Sequence, residues 1–383
     1  MFYCDRCENY YRENTNKWCC DCGAPFSYRS TIPSFFPREK ITSRSKTIWR
    51  YLEALPVESG EWMVSLGEGC TPLVPALFEE QNILFKLDFV SHSASYKDRG
   101  TALLVSKLRE YGIKKVVEDS SGNAGAALAA YCANAGIVCE IFVPAYTSKG
   151  KVIQIEVYGA LVRRIPGSRE DTAMAVKEAA RKFFYASHNW NPYFIQGIKT
   201  LAFELWEQMH WKAPDNIVVP AGQGSLVLGC YLGFQELKKA GEIKRLPRIF
   251  AVQAKNCAPL ALAFQQGLDE PVTIKKRETI AEGISSAMPV RGREVLSAVR
   301  ESDGMIISVE EKEILGSLKM IAKNGFYIEP TSAAATAGFS RLIRRGIVKK
   351  SDSTVVVLTG SGLKATNKIK ILIEKNEKVS IDF

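Results

Sequence analysis

The sequence predicts an α/β protein with parallel sheets covered on both faces by helices and a small cysteine-bearing module in front. Three observations carry that expectation. Short β-branched strands alternate with helical patterns from about residue 83 to residue 358, the mark of a parallel sheet buried on both sides. At 383 residues, 46% apolar and 24% charged, the chain has material for two domains of ordinary size plus a small module. Two Cys-x2-Cys pairs, Cys4/Cys7 and Cys19/Cys22, precede the alternation.

Residues 1–30 read as a zinc-ribbon-like module. Eleven residues separate the two cysteine pairs, as in two knuckles bracketing a hairpin. Four thiolates can close a tetrahedron around a structural zinc with no open position. So short a module has too little core to fold alone, and the metal would supply its stability. Cys20, beside Cys19, leaves open which thiol ligates. Residues 31–65, rich in Pro, Ser and Arg, read as a connecting arm with one helical piece near Lys46–Leu55, and "GEGCTPL" (67–73) turns into the main body.

There the pattern predicts a strand in "ILFKLDF" and a helix after Arg99 to about Tyr111. The strand "KKVVED" (114–119) and the helix "AGAALAAYCANAG" (124–136) follow. Next come "VCEIFVP" as strand, "KGKVIQIEVYG" as helix, "LVRRI" as strand and "DTAMAVKEAARKFF" as helix. Further strands are "NIVVP" (216–220), "RIFAVQA" (248–254) and "TVVVL" (354–358). There is no internal repeat.

The net charge of +10 is concentrated late, with ten Lys/Arg against three acids in residues 341–378. They are interleaved with apolar residues, as in "LIRRGIVKK", so they read as the wet face of amphipathic elements, and no nucleic-acid partner is expected. The apolar stretch Ala124–Ala145 is interrupted by Asn134, Gly136 and Glu140, short of the roughly 20 uninterrupted residues of a membrane span. The polar, Cys-bearing start lacks the apolar core of a secretory signal, so a reducing, cytoplasmic setting is expected. Cys70, Cys132, Cys139, Cys230 and Cys257 then read as small core residues.

Ligands of open α/β sheets sit beyond the strands' carboxyl ends, and three loops fall there. "DSSGNAG" (119–125) follows a strand and opens a helix, whose free N–H groups attract anions. "PAGQGSLVLG" (220–229) offers Gly222, Gln223, Gly224 and Ser225 to wrap a phosphate with main-chain N–H groups. It is not a dinucleotide fingerprint, since after Gly224 the next glycine is Gly229, two positions late. "TGSGLK" (359–364) ends a strand with two hydroxyls. Lys97 stands in "SASYKDRG" (93–100) among small and apolar neighbours, where burial would disfavour its charged form and free the amine as a nucleophile. An amine for an aldehyde, a glycine loop for a phosphate and a hydroxyl for a ring nitrogen fit pyridoxal phosphate.

The ordered set "EGCTPL", "SASYKDRG", "SSGNAG", "NPYFIQGIKT", "GQGSLVLG", "EPTSAAA" and "LTGSGLK", spanning Leu66 to Leu363, resembles the tryptophan synthase β-type (fold type II) pyridoxal-phosphate enzymes. The likeness is greatest to the threonine synthases, some of which carry a zinc-ribbon-like N-terminus. The resemblance implies two doubly wound parallel or mixed-sheet domains, a small one at 90–185 and a large one at 66–89 and 186–383. It also implies cofactor in the cleft between them, and a homodimer. Lys97 would bind the cofactor's aldehyde covalently and shuttle protons. Asn123 would meet the cofactor's 3′-oxygen, and Ser120, Ser121 and Gly122 the substrate carboxylate. Gly222, Gln223, Gly224, Ser225 and Leu226 would cradle the phosphate, and Thr359 would meet the pyridine nitrogen. A hydroxyl there leaves that nitrogen largely unprotonated, which favours elimination and replacement at Cβ or Cγ.

By the same analogy His188 faces the substrate, His92 and His210 are structural, and Glu329 supports the site or the fold. Asp98 and Arg99 read as a local ion pair or a helix cap.

The sequence departs from the threonine synthase pattern in the substrate motifs. Ala124 follows Asn123 where threonine is common, and Phe194 stands where an arginine usually lies. Gln196, "SASYKDR" and Leu226 also differ. Loss of an arginine and a hydroxyl from a phosphate pocket costs about 1.5–3 kcal/mol each, although Lys199 could still hold an anion. The leading expectation is conversion of O-phosphohomoserine to threonine and phosphate. The alternative is β-elimination or β-replacement on a serine- or cysteine-like amino acid, O-phosphorylated or not. Retention of Lys97, Asn123 and Thr359 argues against a non-catalytic binding protein.

Overall fold

Where the sequence alternates strand and helix, the chain builds two sheets, each within its own compact unit. The computed structural model describes residues 1–15, 17–30 and 33–379, with side chains as far as residue 374, so Lys375 and Lys378 of the basic run lie outside the described side chains.

One unit comprises Met1–Cys70, Ser91–Glu204 and Leu232–Lys244. Its main sheet has the spatial order Leu161–Ile165, Val138–Pro144, Lys115–Glu118, Phe184–Tyr185, and every neighbouring pair is parallel. The chain winds outward from Lys115–Glu118 through two strands, then returns to lay Phe184–Tyr185 on the other side of the first. The order therefore reverses between Lys115–Glu118 and Phe184–Tyr185, the position at which open α/β sheets take ligands.

The other unit comprises Thr71–Val90, Leu205–Tyr231 and Arg245–Phe383. Its sheet runs Met305–Val309, Arg248–Ala254, Asn216–Pro220, Thr354–Leu358, Gln81–Leu87, Leu73–Phe78. The last pair is antiparallel and the rest parallel. Here too the winding reverses, between Asn216–Pro220 and Thr354–Leu358. Both of those strands are buried at every residue, as expected of apolar β-branched runs covered on two faces.

Most predicted elements are observed within one or two residues, and five strands match their predicted limits: Val138–Pro144, Leu161–Ile165, Asn216–Pro220, Arg248–Ala254 and Thr354–Leu358. Within these two sheets, three strands were not foreseen. Leu73–Phe78 contains Pro75, which an edge strand tolerates because one side of it pairs with nothing. Met305–Val309 forms the opposite edge. Phe184–Tyr185 is two residues long, and its pairing with Val116 and Val117 ends what reads locally as a continuing helix. That helix spans Arg169–Ala179, started by a capping box of Ser168 and Asp171.

The first 70 residues belong to the first unit instead of standing apart as module and arm. Phe2 and Tyr28 place their rings 5.2 and 5.7 Å from Tyr193, and Trp18 lies 4.7 Å from Trp190 and 5.8 Å from Tyr185. The arm's predicted helix is a 3-10 turn, Ile48–Ala54, with Ile48, Trp49 and Tyr51 buried. The same unit keeps the chain as far as Glu204, beyond the predicted boundary at 185, because helix Pro192–Ile198 presses on helix Lys97–Glu110. A Cβ on Gly100 would lie 2.7 Å from Phe194, and one on Gly197 would lie 2.2 Å from the Arg99 carbonyl oxygen. Only glycine permits that approach.

The stretch Ala124–Ala145 resolves into helix Asn123–Ala135, a left-handed Gly136 (φ 67°) and strand Val138–Pro144. Among the described residues no helix is long and apolar enough to cross a membrane. Several basic residues of the late run face acids: Arg341 meets Glu313, Arg344 meets Glu79 and Glu313, and Lys368 meets Glu282 at 2.6 Å.

Candidate active site

Lys97 opens its helix, and its neighbours fix the helix start. The Asp98 carboxylate accepts hydrogen bonds from the Ser93 amide (2.7 Å) and the Ser93 hydroxyl. Arg99 reaches Glu204 through both terminal nitrogens, at 2.7 and 3.0 Å. The two side chains are thus each engaged beyond their own pair, Asp98 with Ser93 and Arg99 with Glu204. Ala94, at φ 66°, turns the chain just before the helix. Lys97 is half-buried and not enclosed. Its Nζ lies 2.7 Å from the Tyr96 hydroxyl, 4.5 Å from the Tyr96 ring centre and 5.5 Å from that of Phe194. Two residues before Lys97, the Ser95 hydroxyl is buried without a hydrogen-bond partner.

At the reversal point of the same unit, the two neighbouring strand ends carry the loop 119–123 and His188. Asp119 is held by the Tyr185 hydroxyl and by Arg169, both at 2.7 Å. Ser120, Ser121, Gly122 and Asn123 follow, all half-buried. A Cβ on Gly125 would stand 1.9 Å from the Ser120 carbonyl oxygen, so the helix begins hard against the loop. His188 Nδ1 lies 2.7 Å from Glu118 Oε1, and its ring centre is 5.8 Å from that of Phe194. Burial, then the charges of Lys97 and Arg169, holds the His188 imidazole well below its ordinary range. Burial, reinforced by Asp119, pushes the Glu118 carboxyl well above its own.

In the second unit, the glycine loop and Thr359 follow the two adjacent strands at that sheet's reversal point. A Cβ on Gly222 would meet the Ile284 Cα at 2.9 Å, and Gly224 adopts φ 89°. Gln223 is committed elsewhere: its amide nitrogen bonds Ser286 and its oxygen accepts from the Val290 amide, each at 2.9 Å. Ser225 starts helix Ser225–Lys239 and Leu226 is buried, so their contribution toward an anion is main-chain N–H at a helix start. The Thr359 hydroxyl lies 2.9 Å from that of Ser332, which also accepts from the Thr359 and Gly360 amides. Glu329 lies against Gly360, where a Cβ would stand 2.3 Å from its carboxylate.

The cysteine cluster needs one correction. Cys4, Cys7, Cys20 and Cys22 have their sulfurs within 4.8 Å of one another, and Cys19 is left out. The Cys20 amide closes the second turn onto Ala24, with Gly23 at φ 83°, as the Cys4 amide closes the first onto Asn9. That buries the Cys20 side chain and leaves Cys19 at the turn's entrance. Burial opposes ionisation of Cys20, but hydrogen bonds from the Tyr11 hydroxyl and the Cys22 amide bring its thiol down to about 6. A zinc tetrahedron with bonds of about 2.3 Å has edges of about 3.8 Å, which the 3.4 Å Cys4–Cys22 and Cys7–Cys20 separations approach.

Residues 64–360 match the family described as pyridoxal-phosphate dependent enzymes. The chain belongs to that family. Among the family's curated members, threonine synthase of Methanocaldococcus jannaschii is 34% identical over 94% of this chain and 92% of its own length. Threonine synthase of Methanosarcina acetivorans is 35% identical over 85% and 82%. A solved tomato threonine deaminase superposes with a TM-score of 0.70 at 20% identity, covering 91% of this chain and 98% of that one. A fungal L-serine ammonia-lyase from Rhizomucor miehei gives 0.70 at 21%, covering 80% and 98%. These two show the fold type II architecture.

The residues present fit the family's cofactor. In one unit a crowded glycine loop at a helix start suits a phosphate, and in the other the half-buried lysine stays reachable from solvent. Sequence reasoning missed Glu118 and Tyr96. The signal for Glu118 was faint: two acids, Glu118 and Asp119, ending an apolar strand just before the serine–glycine loop.

Proposed function

We propose that this chain is a lyase or synthase of the threonine synthase type acting at Cβ or Cγ of an amino acid, with O-phosphohomoserine to threonine plus phosphate as its leading reaction. One observation carries this: the M. jannaschii threonine synthase aligns along nearly the whole of both chains, well beyond a shared cofactor-binding core. Bound pyridoxal phosphate supplies a sink for the electron pair left at Cα. In this reading Lys97 holds the cofactor's aldehyde and moves the Cα proton, and Asn123 orients the cofactor. Ser120, Ser121 and Gly122 bind the substrate carboxylate, and His188 meets the substrate side chain. Gly222, Gln223, Gly224, Ser225 and Leu226 hold the phosphate through main-chain N–H groups, and Thr359 presents a hydroxyl to the ring nitrogen.

The Phe194 ring beside Lys97 favours a second reading, a serine- or cysteine-like substrate. Lys199, a candidate anion ligand, is 3% exposed and paired with Glu236 at 2.8 Å, so it is committed. The test is to add O-phosphohomoserine, O-phosphoserine, serine and cysteine separately to the holoenzyme and follow the cofactor's absorbance and the products. Threonine and phosphate from the first establish the leading reaction. Turnover of another substrate alone moves the assignment to the second reading.

This reading includes a structural zinc in the cysteine cluster, a homodimer and a reducing, cytoplasmic setting, which suits ten free thiols. Purified protein is expected to carry one zinc per chain. Cys20→Ser should release it, as measured by metal analysis, whereas Cys19→Ser should retain it. The reverse pattern would restore Cys19 as the ligand.

A further inference from the structure

Glu118 has no part in the roles assigned so far, yet its side chain is only 1% exposed at the carboxyl end of the strand that flanks the reversal point. One oxygen faces His188 Nδ1 at 2.7 Å. The other, Oε2, is buried with no hydrogen-bond partner. An anionic oxygen in that state is costly, whereas the carbonyl oxygen of a neutral acid tolerates it better. Asp119, the adjacent acid, already holds the Arg169 guanidinium and the Tyr185 hydroxyl. The Phe194 ring lies near both His188, at 5.8 Å between ring centres, and Lys97, whose Nζ is 5.5 Å from it.

We propose that Glu118 is a positioning residue which, as a neutral acid, donates a hydrogen bond from its carboxyl O–H to His188 Nδ1 and so fixes His188 as a neutral imidazole with its N–H on Nε2, available to the substrate beside Lys97. The charged and titratable groups around His188 agree with this. Lys97 and Arg169 oppose a second positive charge there, and burial together with Asp119 disfavours a charge on Glu118. Nε2–H can then serve only as a donor, which selects a substrate whose side chain accepts a hydrogen bond, an oxygen or sulfur on Cβ or Cγ. A fixed tautomer also spares the site the choice between donating and accepting at each turnover. The inference rests on the reading of this chain as an elimination or replacement enzyme, and its main test does not need the substrate.

The chain has only three histidines, His92, His188 and His210, so their ring nitrogens can be resolved by NMR in the ¹⁵N-labelled holoenzyme and assigned with His188→Asn. His188 is expected to show the Nε2–H tautomer and no titration between about pH 5.5 and 8, a range that spans the ordinary imidazole value of about 6.5. Glu118→Ala should release it into mixed tautomers. Glu118→Gln, whose amide N–H can still reach Nδ1, should retain the single one. With whichever amino acid the enzyme turns over, His188→Asn and Glu118→Ala should each raise KM about tenfold, the value of one hydrogen bond. Glu118→Gln should remain within about threefold, and cofactor affinity should not move. A His188 that titrates normally in the wild type, or keeps its tautomer in Glu118→Ala, overturns the assignment. Absence of turnover with O-phosphohomoserine leaves the NMR result standing and counts only against the proposed reaction.

Discussion

Lys97→Ala is expected to abolish turnover while leaving the protein folded. Borohydride added to the wild-type holoenzyme should fix the cofactor on the peptide containing Lys97, and digestion with mass spectrometry should find no such adduct in the variant. Loss of the proton-transferring amine alone accounts for a fall of about 10²–10⁴-fold in rate, and loss of covalent attachment adds to it. Stability should change little. The side chain is half-buried, and its cation–ring contacts with Tyr96 and Phe194 contribute roughly 0.5–1 kcal/mol. An adduct on another lysine, or turnover within tenfold of wild type, would remove Lys97 from the mechanism.

The largest stability effect is expected at Glu204. Its carboxylate is 1% exposed and meets the fully buried Arg99 guanidinium at 2.7 Å, and it also accepts the Cys70 amide at 2.7 Å. Glu204→Gln leaves the arginine charge buried opposite a neutral amide. Breaking one partner of a buried ion pair typically costs about 3–5 kcal/mol, more than the pair itself contributes. Arg99→Met removes the guanidinium from a buried carboxylate that keeps the Cys70 amide. Urea unfolding of the apo-protein, followed by tryptophan fluorescence, should show both losses, and the double variant should be less damaged than the sum of the two. Because Arg99 lies two residues after Lys97, these variants should also weaken cofactor binding. A loss below about 1 kcal/mol in either single variant would mean that water reaches the pair.

The parallel, helix-covered character of the sheets was legible because it rests on local periodicity. "VCEIFVP", "NIVVP" and "TVVVL" are each mostly apolar and rich in β-branched residues without strict alternation, the pattern of strands buried on two faces. The glycine loops were legible for a related reason: the crowding at Gly222 and the left-handed Gly224 exclude side chains, and the residue type records that exclusion. Lys97, Asn123 and Thr359 could be singled out because they stand in local motifs arranged in a recognisable order.

Other features depended on partners far along the chain. Phe184–Tyr185 is a strand only because Val116 and Val117 lie beside it, and without that pairing His188 has no reason to meet Glu118. Arg99 meets Glu204, 105 residues away in the chain. The choice of Cys20 over Cys19 followed from which amide closes the turn, a geometry that Cys-x2-Cys spacing does not record. Sequence by itself determined what is decided within a few residues: strand and helix periods, tight glycine turns and the chemistry-bearing loops. Tertiary structure alone decided which loop ends lie side by side and which buried charges are paired, because those follow from the order in which the strands pack and from the cost of leaving a charge in the interior alone.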